Sequence, residues 1–441
     1  MSKSRVRVST IFVCTVLLCT LALAADQKSP TKLSDLPPDA QQAISAALAR
    51  NSATIQHFTL TASDGANGDG FGVSVAIDGN TVIVGGAIIN GNQEQGVAYV
   101  FVKPPSGWTN MTQTAELTAS DGQPLDGFGS SVAISGSTVV VGALDATVNG
   151  NPDQGAAYVF VKPASGWVSM TETAKLTASD GADYDELGAS VSISSGTVIV
   201  GAPQYPGPGA AYVFVEPGGG WTDMTQTAEL AASDGADYYN FGVSVSINDN
   251  TIIVGASQDG CSCNAGPGEA YVFVEPKTGW MNTSETAKLT ASDGAVGDNF
   301  GFSVSISGTT AVVSAQGAAY VFVEPGGGWV NMTQTAELTG FGGPVSIDGN
   351  VILWGDAAIN RATGAAFVFL KPVGGWRNTS KYNLELGIPF PYGYDMFGRA
   401  VAVGGTTGII GAPNAPTSPP CGIGGVKCQA GPGEAFVFTE K

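Results

Sequence analysis

Histidine occurs once in these 441 residues, cysteine six times, and lysine and arginine together only 18 times. The single histidine, His57, leaves nucleophilic catalysis of the Ser-His-Asp or Cys-His kind little support. Eighteen cations face 37 carboxylates, for a net charge of −19. That balance argues against nucleic acid or anionic lipid as partner, because both are gripped by basic patches. Its plainest meaning is solubility. Long apolar runs are scarce too: after residue 25 no stretch of about 18 apolar residues occurs, so no membrane span is expected. Of the cysteines, Cys14 and Cys19 lie in the N-terminal apolar run, without the small preceding residue that a lipoprotein signal needs. The other four, Cys261, Cys263, Cys421 and Cys428, fall in two glycine-rich connections. In an exported protein local disulfides are the default. Cys421 with Cys428 closes an easy loop and Cys261 with Cys263 a tight, strained one, while a zinc site shared between distant copies is the rival reading.

What is present begins with a leader. Lys3, Arg5 and Arg7 precede the apolar run Ile11–Leu23, which ends in small residues at Ala22, Ala24 and Ala25. A basic head, a short apolar middle and small closing residues form a secretory signal over residues 1–25. The mature chain is therefore expected to be secreted, periplasmic or at the cell surface. Taking the three leader cations from −19 gives it a net charge of −22. Residues 26–53 hold a polar stretch and a short helix over Ala40–Arg50, opened by Pro37-Pro38-Asp39.

From residue 54 to 441 the chain repeats. Leu60, Leu117, Leu176, Leu230, Leu289, Leu338 and Leu384 mark seven copies, spaced 46 to 59 residues apart. A period of that size means a solenoid or a propeller. Each copy holds four short apolar or alternating segments parted by turn residues. In the first copy they are Phe71–Ile77, Thr81–Ala87, Val97–Val102 and Gln113–Ser120. Four antiparallel strands per copy make one propeller blade. Small residues alternate along strand one (Gly72, Ser74, Ala76), where blades crowd at the axis. An aromatic pair in strand three (Tyr99, Phe101) supplies bulk where they diverge. The seventh copy has no fourth strand, whereas Gln56–Ser63 is a fourth strand with no copy before it. The expected fold is all-β: a seven-bladed β-propeller of four-stranded antiparallel blades, its ring closed by that N-terminal strand.

Phe-Gly heads strand one at Phe71-Gly72, Phe128-Gly129, Phe241-Gly242, Phe300-Gly301 and Phe397-Gly398. Gly-Ala-Pro closes strand two at Gly201-Ala202-Pro203 and Gly411-Ala412-Pro413. These motifs resemble FG-GAP repeats, the units of the seven-bladed propeller of integrin α-chains and of many exported bacterial proteins. Some copies depart from the pattern. Leu187-Gly188 replaces Phe-Gly, Ser314-Ala315-Gln316 and Trp354-Gly355-Asp356 replace Gly-Ala-Pro, and the sixth copy keeps only Gly340-Phe341-Gly342-Gly343 of its Asp loop. The resemblance implies a non-catalytic extracellular interaction or adhesion module, a monomer whose partner is a protein or a glycan. In integrins several strand one–two loops bind calcium on clustered carboxylates. Here none of those loops offers more than one, as in Asp78-Gly79-Asn80 and Asp348-Gly349-Asn350, so no cofactor is expected there.

Two recurring constellations remain. The motif SDGxxxDxFG, between strand four and the next strand one, pairs Asp64 with Asp69, Asp121 with Asp126, Asp180 with Asp185, and Asp293 with Asp298. Asp234 lacks the second partner. Turn capping is the preferred reading, since five copies share the pattern and a catalytic centre needs one; a cation such as calcium is the minority reading. Gly-Trp turns place Trp108, Trp167, Trp221, Trp280, Trp329 and Trp376 at one position per copy. Their indoles are expected to cover blade edges, or, if exposed, to stack on sugars as in propeller lectins. Sequons at Asn110, Asn282, Asn331 and Asn378 follow those turns, glycan acceptors in a glycosylating host and turn asparagines elsewhere. The four–one and two–three connections share one face and vary most in length. That is the expected binding face.

Overall fold

The computed structural model describes residues 55–87, 95–204, 207–236, 239–258, 266–388, 395–415 and 431–440. The leader, the Ala40–Arg50 segment and Cys261, Cys263, Cys421 and Cys428 lie outside the described residues. Within Ile55–Glu440 seven antiparallel sheets form a β-propeller. Blade one runs Phe71–Asp78, Thr81–Gly86, Val97–Val102 and Ala115–Thr118 from the inside outward. Second strands such as Thr81–Gly86 and Thr251–Ala256 are buried at every position, which is why they read as unbroken apolar runs. Fourth strands such as Ala115–Thr118 alternate, because only one face is covered. No described helix is long and apolar enough to cross a membrane.

Blade seven closes the ring as expected. Its strands Ala400–Gly404, Thr407–Ala412 and Glu434–Glu440 are completed by Ile55–Thr61, antiparallel to Glu434–Glu440 with Leu60 opposite Ala435 and Ile55 opposite Glu440. The pairing also settles a register. Each marker leucine faces an alanine of strand three, Leu117 facing Ala98, and in blade six that leucine is Leu386, facing Ala366, rather than Leu384.

The Phe-Gly motif is a bulge. Phe71 pairs with Gly86 and Ser74 with Gly85, so two residues bow out between them. The bow drives the phenylalanine fully inside, where it packs on the strand-three aromatics, Phe71 with Tyr99 at 5.2 Å and Phe128 with Tyr158 at 5.5 Å. Leu187 fills the same pocket and is equally buried, so its departure from the motif is conservative. The glycine that follows takes φ between +92° and +100° and turns its carbonyl toward the preceding blade. There it meets the glycine that ends strand two: a methyl group on Gly85, Gly142, Gly201, Gly255, Gly355 or Gly411 would overlap the carbonyl oxygen of Gly129, Gly188, Gly242, Gly301, Gly398 or Gly72. The last of these pairs joins blade seven to blade one. Serines of the inner strands add hydrogen bonds across the same seams, Ser74 Oγ to the Gly129 carbonyl and Ser131 Oγ to that of Gly188, both at 2.7 Å.

The outer edges hold a feature that the repeat pattern hides. In five copies two residues ahead of strand four leave their own blade and pair, parallel, with the outer strand of the blade before: Met111–Thr112 on Leu60 and Thr61, Met170–Thr171 on Leu117 and Thr118, and so on round the ring. In a sixth, Thr379 bridges to Leu338. We call these segments straps. The residue before each strap (Asn110, Ser169, Asp223, Asn282, Asn331 or Asn378) accepts an amide N–H of the neighbouring outer strand at 2.8–3.1 Å. All four sequon asparagines serve in this way. The glutamine or glutamate after the strap, Gln113 through Gln334, accepts the amide of the neighbour's SDG serine at 2.9–3.0 Å.

Candidate functional site

Both carboxylates of each Asp pair are already engaged by the protein. The second Asp caps its own turn: Asp69, Asp126, Asp185 and Asp298 accept the amides of Ala66, Gln123, Ala182 and Ala295 at 2.5–2.7 Å. The first reaches the strand-three tyrosine of the next blade. Tyr99, Tyr158 and Tyr320 donate to Asp64, Asp121 and Asp293 at 3.0–3.3 Å, Tyr271 does the same to Asp234, and Tyr212 pairs with Asp180. Burial, followed by the carboxylates, pushes these phenols far above their ordinary range. Lys175 neutralises Asp121, and Lys288 does so for Asp234 and Glu269. Among the described residues no three His, Cys, Asp or Glu side chains converge as metal ligands. On the opposite face two lone carboxylates of the one–two turns are spent between blades, Asp78 on the Gly136 amide and Asp348 on that of Gly405.

The six tryptophans of the Gly-Trp turns are 4–7% exposed. Each is wedged between its own blade and the preceding one; Trp167, for example, lies in one cluster with Ala115 and Leu117 of blade one. No indole face is open to a sugar ring, so the stacking expected of exposed tryptophans is corrected to inter-blade packing. His57, on the closing strand, faces solvent with its ring 6.0 Å from that of Phe438.

The loop face is assembled as the connectivity requires. The two–three connection of one blade lies beside the four–one connection of the next, with Tyr184, Glu186 and Leu187 donating their amides to the carbonyls of Pro152, Asp153 and Gln154 at 2.9–3.0 Å. The feature sequence reasoning missed lies here. Leu125 and Tyr184 occupy the position just before the capping Asp, with φ of 71° and 66°, and are 54% and 52% exposed. Blades one and five put Gly68 and Gly297 at that position, also at positive φ. The signal was legible in principle: a slot filled by glycine at Gly68 and Gly297 announces a left-handed backbone at Leu125 and Tyr184 as well. Glu186 occupies the other left-handed slot of this loop, the place of Gly70 and Gly127, with φ of 56°. Beside it stand Asp145 and Asp153. Burial and then the neighbouring carboxylates raise Asp145 and Glu186 above the usual range, and no described lysine or arginine forms an ion pair with them.

A model of the FG-GAP repeat family matches residues 55–101, 111–160, 170–214, 224–273 and 283–322, more than half of the chain. The chain belongs to the FG-GAP repeat family. In this FG-GAP protein the matches leave out blade six and the three C-terminal strands of blade seven, where strand three carries Phe367 and Phe436 in place of tyrosine and the Asp loop of copy six is gone. A search of curated proteins found no match.

Proposed function

We propose that this FG-GAP propeller is exported and binds an extracellular protein through the blade two–three sector of its loop face, without catalysis. The observation that carries the reading is the pair Leu125 and Tyr184. A left-handed backbone costs a side-chain-bearing residue about 1–2 kcal/mol, and neither residue recovers that cost by burial, being half exposed. Strain kept at an exposed position, where sibling blades use glycine, marks a position held for something other than folding. The unneutralised Asp145, Asp153 and Glu186 beside them suit a partner surface that brings cationic as well as apolar groups. Export rests on the leader read over residues 1–25.

The test is the double variant Leu125→Gly/Tyr184→Gly. Relief of strain should leave the melting temperature unchanged or higher. Retention of an extracellular protein partner on the immobilised propeller should fall at least tenfold. A variant that binds as well as the parent moves the site off this sector.

A further inference from the structure

Six of the seven outer strands are covered by a strap; among the described residues the seventh is not. The exception is Leu384–Leu386 of blade six, whose sheet ends at this strand. The reason is topological. A strap is the connection between strands three and four of the next blade. In blade seven those strands are Glu434–Glu440 and Ile55–Thr61, which no connection joins, and Ile55–Leu60 stays paired to Glu434–Glu440 instead of crossing over. Closing the ring with an N-terminal strand therefore leaves one edge uncovered among the described residues.

That edge has the parts its siblings use. Leu386 occupies the register position of Leu117 and Leu60. Glu385 stands where Thr59, Glu116 and Lys175 present an outward amide to a strap's Asn, Ser or Asp, and the Glu385 amide has no partner among the described residues. Glu385 is exposed, and the Tyr382 hydroxyl donates to its carboxylate at 2.9 Å. The strand is three residues long, too short to template sheet growth but long enough for the two-residue parallel pairing seen on the other blades.

We propose that the outer edge of blade six is a strand-addition site for an extended polypeptide of a partner, running parallel to Leu384–Leu386. The ligand chemistry is that of the straps: Asn, Asp or Ser to accept the Glu385 amide, then two residues able to adopt β geometry, the second Thr or Ser. Backbone pairing supplies the attachment, and the acceptor side chain fixes the register.

The experiment uses the full chain and a fluorescein-labelled peptide of strap sequence, Thr-Asn-Met-Thr-Gln-Thr, followed by anisotropy. One saturable site is expected. Replacing the peptide's asparagine with alanine should weaken binding roughly fivefold, the effect of one lost hydrogen bond. Glu385→Pro, which removes the outward N–H at an edge position where proline is tolerated, should abolish binding, and Glu385→Ala, which keeps the N–H, should not. Absence of binding up to millimolar peptide would overturn the proposal. So would indifference to the peptide's asparagine, a readout that does not depend on how Glu385→Pro folds, or full binding by that variant.

Discussion

At the scale of the residue, junctions between copies explain what single copies do not. Where copy six has lost the SDG aspartate its strand three carries Phe367, and where copy seven lacks it strand three carries Phe436; the five copies with the tyrosine all have an aspartate opposite. A buried phenol needs an acceptor, and without one a phenylalanine is the cheaper residue. Ser314 has a similar account. It replaces the glycine that elsewhere abuts the next blade's Phe-Gly carbonyl, and the next blade is the one whose Phe-Gly segment is rebuilt, with Phe341 stacked on Phe367 at 3.5 Å. Asp356 stands at the alanine of Gly-Ala-Pro, directly after the seam glycine Gly355, and accepts the Gly342 amide at 3.1 Å, taking over the capping that the lost loop aspartate performs in other copies. Gly142→Ala should consequently destabilise the fold by about 3 kcal/mol in urea titration, since neither backbone can retreat. Gly219→Ala, where a methyl group meets nothing, should stay within about 0.5 kcal/mol. Equal effects at the two sites would remove the glycine contact from the account of the seams.

At the scale of the element, blade seven carries an unusual acid. Burial first, and Asp395 second, push Glu434 up to about 7. A carboxyl whose folded pKa lies above its unfolded value of 4.5 binds its proton more tightly in the folded state. Its contribution to stability is complete below pH 4.5 and is lost as pH rises through about 7. Raised values at Asp126, Asp145, Asp185 and Glu186 act in the same direction. The melting temperature should fall between pH 5.5 and pH 8, and Glu434→Gln should flatten that slope; an unchanged slope would remove Glu434 from its cause. Elements were also where sequence reading reached its limit. The strands of each blade were legible because burial on one or both faces leaves a periodic trace, and the closing strand because its Leu60 copy had no predecessor. The straps were not. Two residues such as Met111–Thr112 are too short to show a period, and their partners, Leu60 and Thr61, lie in another copy. Gln113–Ser120 therefore read as one strand, whereas pairing to Val97–Val102 begins only at Ala115. The binding face followed from connectivity alone, but Leu125 and Tyr184 look like ordinary loop residues until their backbone angles are known.

At the scale of the whole molecule, stability depends on the ring being shut. The closing strand is held on one side by Glu434–Glu440 and on the other by the blade-one strap, Asn110 on the Thr59 amide and Gln113 on that of Ser63. A chain beginning after residue 63 should melt many degrees lower and scatter light as it associates through exposed edges. One beginning at residue 53, with the strand intact, should match the parent. If both truncations melt alike and stay monomeric, the strand does not close the ring in solution.

The glycine seams have a further consequence, for modularity. Each seam is a lock whose two halves belong to successive copies, Gly142 to one and Gly188 to the next. The unit repeated in the gene is thus out of phase with the unit that has to fit. A copy grafted alone into a new ring would arrive with half of two seams, whereas a run of adjacent copies carries its internal seams with it and has only its two ends to match. Shuffled or extended propellers built from this chain should be cut in blocks, with Ser314 and the rebuilt segment at Phe341 kept in the same block.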